Sequence, residues 1–266
     1  MNTSCCAFLM LALWLCMFRG DVNGETFEIY PPNSDSCDEE FENLANKLKP
    51  GDELILHDGV YSQACRRAIT AKGEADKPIM IRAAPGARPL ITRPAQSNTT
   101  QNNIEIVDSA YLTIRGLHFR GGSIGFRIIR GHHITLEDNE IEETQNNALA
   151  VNAGDVDALV VRRNHIHHTG LHPTVPTEGE GMYIGCHDGK CRVTNSLIEG
   201  NYIHHLRGTS EGGNDGIEIK LGSFGNVVRD NVIHDTNIGT QYPCIFVYGG
   251  GAGINIIERN VMWNCG

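Results

Sequence analysis

VRRNHIHHT (161–169) lines up with LEDNEIEET (136–144), IEGNYIHHL (198–206), VRDNVIHDT (228–236) and IERNVMWNC (257–265). The alignment puts Asn139, Asn164, Asn201, Asn231 and Asn260 in one column, at spacings of 25, 37, 30 and 29 residues. An earlier copy, IRGLHF (114–119), is read with Gly116 in that column. Two residues after each asparagine stands an apolar residue: Ile141, Ile166, Ile203, Ile233 or Met262. Self-similarity at a period of a few tens of residues marks a repeat architecture.

Between the asparagine sites a second segment recurs as GFRII (125–129), ALAVN (148–152), GMYIG (181–185), GIEIK (216–220) and CIFVY (244–248). Each alternates apolar and other residues with period two, the pattern of a strand. Units of two or three short strands cannot bury their own apolar sides and must stack. Equivalent residues then fall about 4.8 Å apart in neighbouring coils. The asparagines become a ladder of amides that donate and accept along the stack, and Asn also tolerates a left-handed turn. In GIEIK the isoleucines face inward, so Glu218 and Lys220 face outward. Stacking predicts two outward columns: Arg127, Ala150, Tyr183, Glu218 and Phe246, and Ile129, Asn152, Gly185, Lys220 and Tyr248.

The whole chain is 266 residues, 40% hydrophobic and 20% charged, enough for one large all-β domain or two ordinary ones. Apolar residues are too plentiful for disorder. A net charge of −10, with no basic block, argues against nucleic acid as a partner. Cys5 to Phe18 is uncharged and apolar, yet shorter than the roughly 20 residues a membrane span takes. Val22 and Gly24 stand as positions −3 and −1 of a cleavage site before Glu25. Residues 1–24 are therefore read as a secretory signal peptide, leaving no membrane segment after cleavage and an extracellular or periplasmic protein. The alternative is a buried N-terminal strand or helix.

Six cysteines remain after that cleavage: Cys37, Cys65, Cys186, Cys191, Cys244 and Cys265. Cys186 and Cys191 flank a turn and form the best local disulfide pair; the others stand open between disulfides and buried thiols. Ser36 to Glu39 has the form of a capping box, and Phe41, Leu44, Ala45 and Leu48 share one helical face before Pro50-Gly51. Residues 36–49, within an N-terminal segment 25–49, are predicted to be an amphipathic helix capping the first coil. Residues 50–266 form the solenoid. Its last strand has no legible cap, so the expectation is that further coils follow Gly266 and that the full-length protein is monomeric.

These copies resemble the parallel β-helix repeats of the pectin-lyase-like superfamily. The stretches GDELILHDGVY (51–61), AITAKGEADKPIMIRAAPGARPLIT (68–92) and YLTIRGLHFRGG (111–122) resemble the opening coils of the chondroitinase B and alginate lyase type of polysaccharide lyase. The resemblance covers about residues 50 to 266 and implies a right-handed parallel β-helix acting on an acidic polysaccharide. The family's Glu-then-Lys arrangement follows an Asn, with metal on the carboxylates. In this sequence Lys220 follows Glu218 by two residues, without the fuller Asn-Lys-Ser context.

Under that resemblance the outward columns become a strip on which a sugar chain lies, with Asn152, Phe246 and Tyr248 binding it. The connections from Thr169 to Glu180 and from Leu206 to Asp215 are the longest insertions and flank the strip. They bring Glu178, Glu180, Glu211 and Asp215 close to Glu218. Oxygen-only donors suit calcium, and Glu180, Asp215 and Glu218 are the expected ligands. Calcium would bridge an acidic protein to a uronate and acidify the C5 proton. Lys220 is then the base, Arg127 neutralises the substrate carboxylate, and Tyr183 or His204 donates the proton to the leaving oxygen. The bland reading of Glu218 and Lys220 is a solvated ion pair.

His167, His204 and His234 share a column beside His168, His205 and Asp235, and stacked imidazoles can bind zinc or copper. The recurrence of the pattern in β-helix repeats favours a turn device instead. Paired-aspartate and Gly-His-Gly hydrolase motifs are absent, and Gly121-Gly122 is not a phosphate loop. Asn98-Thr99-Thr100 is a glycosylation sequon. The functional expectation is a calcium-assisted lyase of a uronate-containing polymer. A C5-epimerase and a non-catalytic carbohydrate-binding solenoid are the rivals.

Overall fold

Runs of three to five residues that alternate inward apolar and outward side chains, cut by Gly, Asp and Asn turns, give strands too short to stand alone. They are stable only as rungs of a stack. A computed structural model describes residues 24–33, 40–93, 100–172, 176–209, 213–236, 242–249 and 251–266. The chain is a right-handed parallel β-helix with three rows of strands.

The first row holds the sequence-predicted columns. Phe126, Leu149, Met182, Ile217 and Ile245 are successive partners, as are Arg127, Ala150, Tyr183, Glu218 and Phe246. The second row runs through Glu140–Glu142, His165–His167, Tyr202–Leu206, Val232–Thr236 and Val261–Cys265. The third runs through Val160–Arg162, Leu197–Glu199, Val227–Arg229 and Ile256–Glu258. The twelve-residue strands Ile104–Arg115 and Phe126–Glu137 bend through positive-φ residues such as Asp108 and Arg130, and so belong to the first and third rows at once. Inward residues, among them Ile128, Val151, Ile184, Ile219, Ile166 and Val228, form one continuous core.

Asn139, Asn164, Asn201, Asn231 and Asn260 form the ladder. Asn164 Nδ2 donates to Asn201 Oδ1 at 3.0 Å, and Asn201 Nδ2 donates to Asn231 Oδ1 at 2.9 Å. Each carbonyl oxygen also accepts the backbone N–H of the asparagine one coil earlier. Two details differ from the expectation. The left-handed residue is the one before each asparagine: Asp138, Arg163, Gly200, Asp230 and Arg259 all have positive φ. Gly116 (φ +70) belongs to that turn column, and Leu117 takes the ladder position, its N–H donating to Asn139 Oδ1 at 3.0 Å. A second ladder, Ser196, Asn226 and Asn255, closes another corner.

The N-terminal segment is more than a helix. Thr26–Ile29 adds a parallel strand beside Glu53–Leu56, extending the third row by one rung. The helix spans Glu40–Ala45 among the described residues, buries Phe41 and Ala45, and ends at Ala45 where the prediction ran to residue 49. Its flank serves the exposed edge of Ala68–Ile69. Glu42 Oε1 accepts the Ala68 N–H at 3.0 Å, Asn46 Nδ2 donates to the Ala68 carbonyl, and the Thr70 N–H donates to Asn46 Oδ1. These bonds occupy backbone groups that would otherwise template another strand. Residues 1–23, the capping box and Asn98 lie outside the described residues. At the far end Ile254, Ile256, Val261, Met262 and Trp263 are exposed.

Cys186 pairs with Cys191, and Cys244 pairs with Cys265. Cys65 is also disulfide-bonded. No free thiol therefore remains among the described cysteines.

Candidate active site

The strand Ile217–Ile219 and the residue after it place Glu218 and Lys220 on the same side of the first row, with Ile217 and Ile219 in the core. The preceding loops turn this outer face into an interior. Within the second loop the Gly208 N–H donates to Asn214 Oδ1 at 2.9 Å; between the loops the Thr209 N–H donates to the Thr177 carbonyl at 2.8 Å and the Gly179 N–H to the Gly213 carbonyl at 3.2 Å. The two loops are thus stitched together one rung apart. Glycine permits the entry into each strand: a Cβ on Gly181 would lie 2.5 Å from the Gly216 carbonyl oxygen, and one on Gly216 would lie 2.4 Å from Ile233. The residues just before these glycines, Glu180 and Asp215, are carried inward with the backbone.

Lys220 and Glu218 are 3% and 2% exposed, so the solvated-pair reading does not hold. The Lys220 ammonium binds Glu218 Oε1 directly and lies 4.0 Å from the Tyr183 ring centroid and 4.9 Å from that of Tyr248. Cation–π contact with two rings adds to the ion pair where water is excluded. Removing one partner of such a pair costs about 3–5 kcal/mol, because the other charge is left buried alone.

Glu180 is fully buried and accepts from Asn147 Nδ2 at 2.6 Å. Burial, reinforced by Glu178 and Glu218, pushes its carboxyl up to about 8. Burial and then Glu218 push Asp215 up to about 7, against the pull of Lys220. Burial and the Glu218 carboxylate also hold the Tyr183 phenol well above its ordinary value, and Tyr248 is shifted the same way. Glu180 Oε1, Asp215 Oδ1 and Glu218 Oε2 are buried with no hydrogen-bond partner among the described residues. Orphaned carboxylate oxygens match the donor chemistry of calcium. The three acids are nevertheless not among the described sets whose ligand atoms lie mutually within 4.8 Å. Lys220 is the cation that they share.

The other sequence-predicted residues are distributed around this centre. Arg127 stands three rungs from Glu218, about 14 Å along the stack. Its Nε donates to Asn152 Oδ1 at 3.2 Å, which makes these two a unit. Phe246 packs against Tyr248 with centroids 4.6 Å apart, and His187 meets Tyr248 edge-on. Together they wall the far side of Lys220. His204 lies on the second row, where its neighbours are His165, His167, His205, His234 and Tyr202. Burial and the surrounding imidazoles pull it down to about 3, and it touches no residue of the strip. His168, His205 and Asp235 have φ of +54, so the turn reading holds for that column. Glu178 is exposed, and Glu211 lies outside the described residues. Asn147 and Asn214 went unnoticed in the sequence. The signal for Asn147 was its position one residue ahead of ALAVN, matching Glu180 ahead of GMYIG and Asp215 ahead of GIEIK.

A solenoid that carries a buried Lys–Glu pair, two phenols and two raised carboxyls on one outer row is a repeat protein with a buried polar cluster on its flank. The family model for the right-handed β-helix region matches residues 102–266, and the chain belongs to that family. The chondroitinase B family model matches residues 36–143, so the opening coils are similar to that enzyme. Among solved structures the chain is similar to an alginate lyase from Paenibacillus sp. str. FPU-7, at 22% identity and a TM-score of 0.70, covering 90% of this chain and 76% of that one. It is also similar to the catalytic domain of a GH87 alpha-1,3-glucanase, at 13% identity and a TM-score of 0.52, covering 89% of this chain and 45% of that one. At these identities the likeness is one of fold. No curated protein matches the sequence significantly.

Proposed function

We propose that the chain is a secreted lyase that cleaves an acidic, uronate-containing polysaccharide by β-elimination. The observation that carries the reading is Lys220, buried against Glu218 and facing the phenol-bearing rings of Tyr183 and Tyr248. β-Elimination needs a base at C5 and a proton donor at the leaving C4 oxygen. Lys220 takes the C5 proton as the neutral amine, and Glu218, in contact with it, receives the proton that it first gives up. The C4–O bond breaks as the C4–C5 double bond forms. Tyr183 keeps its proton through the neutral range and delivers it to the leaving oxygen.

Protonation of Glu180 and partial protonation of Asp215 near neutral pH leave the centre close to charge balance. An anionic sugar can then approach despite the net charge of the chain. Arg127, held by Asn152, meets the carboxylate of a neighbouring sugar unit, and Phe246 and Tyr248 offer ring faces. Calcium would be held by the free oxygens of Glu180, Asp215 and Glu218 once the two raised carboxyls lose their protons and the three draw within reach of one ion, with substrate oxygens completing its shell. When bound it would draw charge from the uronate carboxylate. The acidic polymers named for the alginate lyase and chondroitinase B relatives support the substrate class. The disulfides and the apolar run of residues 5–18 support export.

Incubation with alginate, pectate and glycosaminoglycans should raise absorbance at the unsaturated-uronate band for one of them. Lys220→Ala and Tyr183→Phe should each remove most of that rise while the far-UV circular dichroism stays unchanged. Solvent hydrogen entering C5 without new absorbance would instead identify an epimerase. Binding with neither signal would leave a non-catalytic solenoid.

A further inference from the structure

The second row carries another cluster, on a face that Lys220 does not reach. Strands Glu140–Glu142 and His165–His167 are parallel neighbours, with Glu140 opposite His165 and Glu142 opposite His167. Ile141 and Ile166 point into the core, so the four flanking side chains share the outer face. His167 Nε2 lies 3.2 Å from Glu140 Oε1, and His165 Nδ1 lies 3.8 Å from the same oxygen. The three ligand atoms fall within 4.8 Å of one another. An ion that binds nitrogen and oxygen at about 2.0–2.2 Å in tetrahedral geometry holds its ligand atoms roughly 3.3 Å apart. The observed edges bracket that value.

The remaining ring nitrogens point to the same use. His167 Nδ1 is 2.7 Å from His168 Nδ1, and His165 Nε2 is 2.8 Å from His204 Nε2. His204 Nδ1 is in turn 2.6 Å from His205 Nδ1. Each nitrogen–nitrogen contact holds one proton. With those protons on His167 Nδ1 and His165 Nε2, both rings turn bare lone pairs toward Glu140 Oε1. A metal-binding imidazole characteristically donates its other N–H to a fixed acceptor, and each ring here has one. Arg88 holds Glu140 Oε2, leaving Oε1 to the imidazoles. A surface pocket lined by Arg88, His118, Glu140 and His165 gives an ion a way in.

In the two rival groupings the carboxylates Glu142 and Asp235 are held by closer bonds than the 3.2 Å contact of Glu140 Oε1. Glu142 is bound by His118 at 2.7 Å and by Arg120 at 2.8 Å. Asp235 is bound by His234 at 2.8 Å and by Asn264 at 2.9 Å.

We propose that Glu140, His165 and His167 bind one divalent first-row transition ion of the zinc class, with its open coordination positions toward the pocket. Two imidazoles and one carboxylate suit zinc, nickel or copper, whereas calcium takes oxygen alone. The test uses the full chain, stripped with chelator and desalted. Calorimetric titration with zinc should show one equivalent bound, and titration with cobalt should give visible ligand-field absorption. His165→Ala, His167→Ala and Glu140→Gln should each weaken zinc at least tenfold, with circular dichroism unchanged. Glu140→Gln keeps the shape of the site and Glu142→Gln should leave the affinity as it was, so the two together decide the point should a histidine variant misfold. Asp235→Asn and Lys220→Ala should leave the affinity as it was. Binding of less than a stoichiometric amount would overturn the proposal, as would undiminished affinity in Glu140→Gln or binding lost only in Asp235→Asn.

Discussion

Replacing Asn201 by alanine removes the middle of the amide ladder. Its Oδ1 accepts from the Asn164 N–H and from Asn164 Nδ2, both at 3.0 Å. Its Nδ2 donates to the Val161 carbonyl and to Asn231 Oδ1, both at 2.9 Å. Asn231 Oδ1 keeps a partner, because the backbone N–H of residue 201 still donates to it. Two buried donors are orphaned, the Asn164 N–H and one Asn164 amide hydrogen, while the Val161 carbonyl keeps its place in the strand ladder. Each orphaned donor costs about 1–3 kcal/mol where water cannot enter, so the loss should be about 2–6 kcal/mol. That corresponds to a fall of roughly 5–20 °C in melting temperature for a chain of this size. Asn260→Ala is the internal control. Its side chain makes the equivalent bonds to Asn231 and Val228, but the site is partly exposed and water can replace them. Its cost should be about 1 kcal/mol. Thermal and urea melts followed by far-UV circular dichroism read both variants. Equal losses for the two substitutions, or less than 1 kcal/mol for Asn201→Ala, would refute the argument that burial of the amide column holds the coils in register.

Glu218→Gln should cut turnover by more than tenfold on the responsive polymer with little change in KM; an unchanged rate would place the chemistry elsewhere. Stability should fall as pH rises from about 4 to about 8. Glu180 and Asp215 bind protons more tightly folded than unfolded, so deprotonation above their unfolded values penalises the native state until their folded values are passed. Urea midpoints across that window should slope less in Glu180→Gln, and an identical slope would remove Glu180 as the cause. Excess chelator should slow turnover and added calcium restore it, whereas full activity in chelator would take calcium out of the proposal.

The rungs could be read from the sequence because their chemistry repeats. An asparagine before each apolar pair, and an alternating pentapeptide between, pinned the register of the first row to the residue. Gly116 was misplaced by one because glycine fits both the ladder and the left-handed position before it, and only the Leu117 N–H bond distinguishes them. Thr26–Ile29 escaped notice because it has no asparagine and is four residues long. The site was only half legible. Period-two alternation says that Glu218 and Lys220 point away from the core, but it carries no information on what covers them. Their burial depends on bonds between loops such as Thr209 to Thr177, which are contacts between irregular segments without periodicity. The cluster of Glu140, His165 and His167 crosses columns, so reading down a single column missed it.

The Cys244–Cys265 bridge bears on where such a centre can operate. It ties the residue just before Ile245–Val247 to the end of Val261–Cys265, two rows of the last described coil, across a separation of 21 residues. Phe246 and Tyr248, the far wall of Lys220, sit on the first of those rows. A closure of that length restricts the open coil by about 3 kcal/mol. With the bridge reduced, Phe246 and Tyr248 are held to the preceding rung through the Ile245–Val247 strand pairing, without the covalent tie to the second row. The wall becomes firm only after oxidation. On the proposed reading of a secreted lyase, Lys220 would sit in an unfinished pocket until the bridge forms, and that covalent step would complete the surface beside it.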